Sequence, residues 1–134
     1  MPSPTQLEGK RQEDHAEAAL LRARYTILAR NWRGGGGELD LVAREGPVLA
    51  FVEVRARRSL RHGRPAATVG PNKQRKLVRA ALAYCRDHGQ LAASIRFDVV
   101  EVVIDPRGGA ADVTILRGAF DASAAHGRGA VPLW

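Results

Sequence analysis

Cysteine occurs once in this chain of 134 residues, at Cys85, so no internal disulfide can form, and a lone thiol fits a reducing compartment. Long hydrophobic runs are missing as well. No apolar stretch approaches the ~20 residues that a membrane span requires. Residues 1–12 are polar and lack the apolar centre of a signal peptide. These absences predict a cytoplasmic protein with no membrane partner. Lysine is scarce, with Lys10, Lys73 and Lys76 standing against eighteen arginines. Aromatic residues make up 5% of the chain, and Trp32 and Trp134 are too isolated to argue a base-stacking platform. His15, His62, His88 and His126 show no metal-ligand spacing, which leaves histidine out of any metal site.

What remains is an ordinary hydrophobic fraction of 45% and a formal charge of +7, from 21 basic and 14 acidic residues. The length and the apolar content predict one domain with a real core. The charge favours polyanionic partners, nucleic acid first among them; charge does not separate DNA from RNA, and DNA is the expected partner ahead of RNA. The bland counterpart is a merely soluble basic surface, and a bias toward Arg, Ala and Gly in coding composition accounts for part of the excess.

Residues 1–11 read as a flexible N-terminus, 12–121 as the domain, and 122–134 as a flexible tail rich in Ala, Gly and Ser. A helix is predicted from Gln12 to about Arg24, with Ala16, Ala19, Leu20 and Ala23 as a narrow apolar stripe. A strand follows from Tyr25 to Trp32. Gly34 to Gly37 reads as a mobile four-glycine connection. Two further strands are predicted, one containing Gly37-Glu38-Leu39-Asp40-Leu41-Val42 and one containing Phe51-Val52-Glu53-Val54-Arg55, with a turn at 44–47. Pro71 opens a second helix that runs to His88, where Gly89 stops it. Residues 95–104 form another strand and 112–116 a short edge strand. Three consecutive strands can form a meander, and the helix after them lets the next strand join in parallel by a right-handed crossover. The expected fold is α/β, a mixed sheet flanked by helices.

Asp40 and Glu53 interrupt strands that are otherwise apolar. Desolvating an unpaired carboxylate is expensive, so two acids aimed at one place from adjacent strands suggest a divalent cation. Mg²⁺ takes oxygen ligands of this kind, commonly one or two carboxylates with water and substrate phosphate. Lys73 lies on the inward stripe of the second helix, four residues before Leu77, so its amine can reach the end of the sheet. Asn72, Lys76, Arg79 and Arg86 lie on the solvated face of that helix. Arg55, Arg57, Arg58, Arg61, His62 and Arg64 make a basic loop suited to phosphate contacts, from which Arg57, Arg58, Arg61 and Arg64 are the nucleic-acid-binding candidates. Cys85 reads as core packing, and Asp98 as a cap or the partner of Arg96 or of a neighbouring strand.

An Asp on one strand followed by Glu-x-Lys on the next is the pattern of the restriction-endonuclease-like, or PD-(D/E)XK, nucleases. Here it reads Asp40, then Glu53-Val54-Arg55. With Lys73-Gln74-Arg75-Lys76-Leu77 and Arg96-Phe97-Asp98-Val99-Val100 in order, and with Glu17 and Asn31, the chain from 12 to 120 resembles the bacterial YraN family. The resemblance implies a restriction-endonuclease-like sheet, a three-strand meander plus a parallel crossover strand, around a site for Mg²⁺ or Mn²⁺. It implies Asp40, Glu53 and the Val54 carbonyl as metal ligands, with Glu17 as a helix-borne acid on the metal or its water. The third motif position, usually Lys, is Arg55 here. Arg cannot act as a general base because its pKa exceeds 12, though it can stabilise charge on phosphate. Lys73 is the candidate for supplying the missing amine.

The expected function is a nucleic-acid-binding protein with a nuclease-type metal site, hydrolysing phosphodiesters if active. Two alternatives stand beside it: a non-catalytic nucleic-acid-binding module on the same fold, and an interaction protein whose acids are salt-bridged to Arg55 and Arg57.

Overall fold

The computed structural model describes residues 3–58, 69–91, 93–108 and 110–123. The elements run α1 Pro4–Arg22, β1 Thr26–Gly34, β2 Gly37–Glu45, β3 Val48–Arg57, α2 Pro71–Asp87, β4 Ser94–Ile104 and β5 Ala110–Phe120. The five strands lie in sequence order in one sheet. All neighbours are antiparallel except β3 and β4, which are parallel and connected across α2. This is the mixed α/β sheet with a meander and a crossover strand that the sequence predicts, and it is compatible with a restriction-endonuclease-like fold.

Strand periodicity assigns the two cores. Leu49 and Phe51 of β3, with Phe97 and Val99 of β4, face α2 and meet Leu77, Val78, Ala81 and Tyr84. The alternate residues Ala50, Val52, Val100 and Val102 form the other face, against Ala16 and Leu20 of α1. A sheet covered on both sides needs apolar residues in both phases, which is why residues 48–52 run apolar without alternation.

Both helices end on the same backbone device. In α1 the Tyr25 N–H donates to Leu20 O at 2.9 Å and the Arg24 N–H to Leu21 O at 3.0 Å, with Arg24 at φ 71°. In α2 the Gln90 N–H donates to Cys85 O at 2.7 Å and the Gly89 N–H to Arg86 O at 3.5 Å, with Gly89 at φ 66°. These are Schellman closures; glycine takes the left-handed position in one and arginine in the other.

Three expectations change. The helix α1 begins at Pro4 rather than at Gln12: the segment before 12 has few apolar residues to announce it, yet continues the helix. The glycine run is a tight turn and not a mobile connection. Gly34 pairs with Gly37, and Gly35 and Gly36 take φ 61° and 81°, the pair of positive values that a two-residue hairpin turn of type I′ demands. Finally, β5 is longer than 112–116, because a bulge opposite Asp98 lets it continue through Gly118, at φ 63°, to Phe120. Of the expected C-terminal tail, residues 124–134 lie outside the described residues.

Candidate functional site

The last β2–β3 ladder pair at this end of the sheet is Leu41 with Val52. One step further along each strand stand Asp40 and Glu53. Asp40 Oδ2 accepts a hydrogen bond from the Val54 backbone N–H at 2.9 Å, which fixes its carboxylate across the gap between the strands. Glu53 follows Phe51 on the face turned to α2, with only 9% of its surface exposed. Lys73, in the first turn of α2, brings its Nζ to 3.4 Å from Glu53 Oε2. Glu53 and Lys73 open onto a cleft of about 330 Å³ whose lining also includes Arg55, Val69 and Gly70.

Burial raises the Glu53 pKa, and the hydrogen bond and negative charge of Asp40 raise it further, to about 8, against the opposing pull of Lys73. Burial beside Asp40 therefore favours the protonated form of Glu53 when no cation other than Lys73 is near. Two carboxyl groups set against each other at the end of adjacent strands form a donor set suited to a hard cation. Among the described residues no three His, Cys, Asp or Glu side chains converge as a closed metal cage. The open pair instead fits an ion that takes part of its shell from water and phosphate, as Mg²⁺ does.

Glu17 does not join this pair. It is held by Arg30, whose Nε donates to Oε2 at 2.7 Å and whose terminal nitrogen bonds the other oxygen. Those bonds lower its pKa. The acid that α1 turns toward the site is Glu13. Its pKa is raised, first by burial and then by the charge of Asp40, while a hydrogen bond to Asn31 acts in the other direction. Helical phase carried this signal: at about 100° per residue Glu13 falls at the edge of the buried arc of Gln12, Ala16, Ala19 and Leu20, and Glu17 lies about 40° further out.

The arginines divide. Arg55 is exposed and lines the cleft. Arg57 is ion-paired with the buried Glu101 on β4, and Arg58 is exposed. Arg61 and Arg64 lie outside the described residues. Glu53 pairs with Lys73, and Arg57 with Glu101, so the network joining the site acids to Arg55 and Arg57 does not form among the described residues.

A second polar cluster lies toward the opposite end of the sheet. Asp98 is fully buried. It accepts from Tyr25 OH at 2.8 Å, from Arg96 Nε and a terminal nitrogen at 2.8 Å each, and from the Gly118 N–H at 3.0 Å. Arg96 also reaches Glu45 at 2.6 Å. Arg117 bonds the same carboxylate at 2.7 Å and lies 5.4 Å from the centre of the Tyr25 ring. Arg117 first, and Arg96 after it, hold the Glu45 pKa down at about 2. The pairing of Asp98 with Arg96 follows the sequence expectation. The part played by Glu45, a residue at the edge of a turn, had no signal in the sequence. With its carboxyl and guanidinium groups matched to one another, this cluster ties β2, β4 and β5 together.

Residues 12–102 match the family model described as Uncharacterised protein family UPF0102. A UPF0102 protein of Desulfosudis oleivorans is 44% identical over 125 residues, covering 93% of this chain and 98% of its own length. A UPF0102 protein of Geobacter sulfurreducens is 49% identical over 96 residues, 72% of this chain and 75% of its own. One from Xanthomonas campestris is 49% identical over 107 residues, 79% and 88% of the two chains. With the Asp40 and Glu53 strands and the first turns of α2 inside the matched segment, the chain belongs to the UPF0102 family, the YraN family that its motifs resemble.

Proposed function

We propose that this protein binds nucleic acid and holds Mg²⁺ or Mn²⁺ between Asp40 and Glu53, as a metal-dependent phosphodiester hydrolase. The observation that carries the reading is the meeting of these two carboxyls at the end of β2 and β3, one anchored by the Val54 N–H and the other beside Lys73. A bound divalent cation supplies Lewis acidity for in-line attack of water on a phosphodiester.

The chain's own residues supply the rest. Asp40 presents a fixed carboxylate. Glu53 would hold the cation as a carboxylate, with its proton released to solvent. Arg55, at the cleft wall, offers a planar fork to a non-bridging phosphate oxygen and stays charged throughout. Lys73, beside Glu53 at the cleft, is placed to stabilise negative charge that develops on the phosphate.

The test is Mn²⁺-dependent cleavage of branched, flapped and single-stranded DNA by wild type, Glu53→Gln and Lys73→Ala. Wild type is expected to cleave at least one substrate. Glu53→Gln should abolish turnover, and Lys73→Ala should lower it about 10²-fold, the scale of losing one charge-stabilising donor. Equal cleavage by wild type and Glu53→Gln would place the activity elsewhere. Binding without cleavage by any of the three would leave a nucleic-acid-binding module, a reading that the Arg at position 55 favours.

A further inference from the structure

We infer that the solvated crest of α2, centred on Lys76 and Arg79, is a docking surface for the phosphodiester backbone of the nucleic acid whose next phosphates enter the cleft lined by Glu53 and Lys73; this rests on the function proposed above. The crest starts at the cleft. Gly70 and Lys73 line the cleft, and Lys76 and Arg79 follow at helical steps of three. From Lys73 to Arg79 the helix advances about 9 Å. That length matches two or three phosphates along one strand, which follow each other at about 3.4 Å of duplex axis.

The crest is set up as an uncompensated cation surface. Several basic groups elsewhere are paired: Arg30 with Glu17, Arg57 with Glu101, Arg96 with Asp98 and Glu45, and Arg117 with Glu45. Among the described residues neither Lys76 nor Arg79 has a hydrogen-bond or ion-pair partner. The helix carries no acid before Asp87, which pairs with Arg86 at 3.5 Å. Lys73 and Lys76, Lys76 and Arg79, and Arg75 and Arg79 are like-charge pairs at spacings of three and four, each mildly destabilising in isolation. A solvated face with no partner gains from alternating signs; a row of one sign is relieved by a polyanion.

The glycine hairpin supplies an observation independent of charge. A Cβ at Gly35 would lie 2.7 Å from Arg79 O, and one at Gly37 would lie 3.0 Å from Lys76 O. The β1–β2 turn thus packs directly on the α2 backbone at the two cationic residues. Gly35 and Gly36 are exposed there. A side-chain-free shoulder beside Lys76 and Arg79 lets a stiff sugar–phosphate backbone approach both cations.

The experiment measures affinity for one oligonucleotide sequence, as duplex and as single strand, against NaCl concentration in EDTA, so that the cation site takes no part. The proteins are wild type, Lys76→Ala/Arg79→Ala, the charge-retaining Lys76→Arg/Arg79→Lys, and Arg11→Ala/Arg22→Ala on α1, which removes equal charge elsewhere. The log–log salt slope on duplex is expected to shrink by about 1.8 for the α2 alanine pair, ~0.9 per lost phosphate contact. The charge-retaining pair and the α1 pair should stay near wild type. Equal losses from the α1 and α2 pairs would reduce the effect to net charge and overturn the inference. An unchanged slope for the α2 pair beside a salt-sensitive wild type would overturn it alone and leave the proposed function standing. Wild-type protein without salt-sensitive binding would overturn both. Polyglutamate competing as well as the oligonucleotide would assign the crest to an acidic protein instead.

Discussion

Glu53 keeps a proton that a carboxyl in water releases near 4.5, because burial and the adjacent Asp40 carry its pKa to about 8. The folded state therefore binds more protons than the unfolded state between those values, and stability falls as pH rises through that window. Glu53→Gln keeps the shape and removes the ionisation. In EDTA at pH 8 the variant should be more stable than wild type, by an amount on the order of 2 kcal/mol. At pH 4 the two should be nearly equal, since Glu53 is then protonated in both states. Urea unfolding at both pH values measures this, and a variant less stable than wild type at pH 8 would show that the carboxyl is not held in conflict with its surroundings. Asp40 and Glu53 were legible because an acid inside an apolar strand is anomalous on its face. Glu13 was not, because an acid in the first half of a helix has an ordinary explanation in the helix dipole. Its difference from Glu17 is one of phase, and Arg30, which captures Glu17, reaches it from a strand thirteen residues away.

At the scale of elements, the glycines and caps set the boundaries. The sequence reads four glycines as freedom, but Gly35 and Gly36 are confined to positive φ and Gly35 and Gly37 to contact with α2. Freedom and confinement look alike in one dimension, since both call for the residue without a Cβ. The same logic predicts an improvement. Arg24 occupies the left-handed position of the α1 closure at φ 71°, where a non-glycine residue pays roughly 1–2 kcal/mol. Arg24 makes no hydrogen bond or ion pair through its side chain among the described residues. Arg24→Gly should therefore stabilise the fold by about 1 kcal/mol, less than the strain relieved because glycine also gains freedom in the unfolded chain. Chemical denaturation that finds the glycine variant weaker would mean that the arginine side chain contributes more than its strained backbone costs. The strand β5 was only half legible for a related reason: Arg117 and Gly118 break the apolar pattern, and it takes the buried Asp98 on β4 to show why the strand continues.

The described residues form a sheet covered on both faces, with two distinct polar clusters set along it. At one end Asp98, Arg96, Glu45, Arg117 and Tyr25 bond to one another and lock three strands. At the other, Asp40 and Glu53 are left against each other, and among the described residues Lys73 is the cation that opposes them. The element order and the parallel crossover were readable because strand and helix periods alternate cleanly along the chain. The balance of charge at each end was not, since it depends on side chains brought together from up to 73 positions apart. If the unbalanced end holds a divalent cation, as proposed, calorimetric titration with Mn²⁺ at pH 7 shows it most directly. Wild type should bind one ion and release a proton from Glu53, seen as a heat that changes with the ionisation enthalpy of the buffer. Glu53→Gln should lose this binding, Glu13→Gln should weaken it, and Glu17→Gln should leave it unchanged. A wild-type protein that takes up no Mn²⁺, or a Glu53→Gln variant that binds as tightly as wild type, would contradict the account.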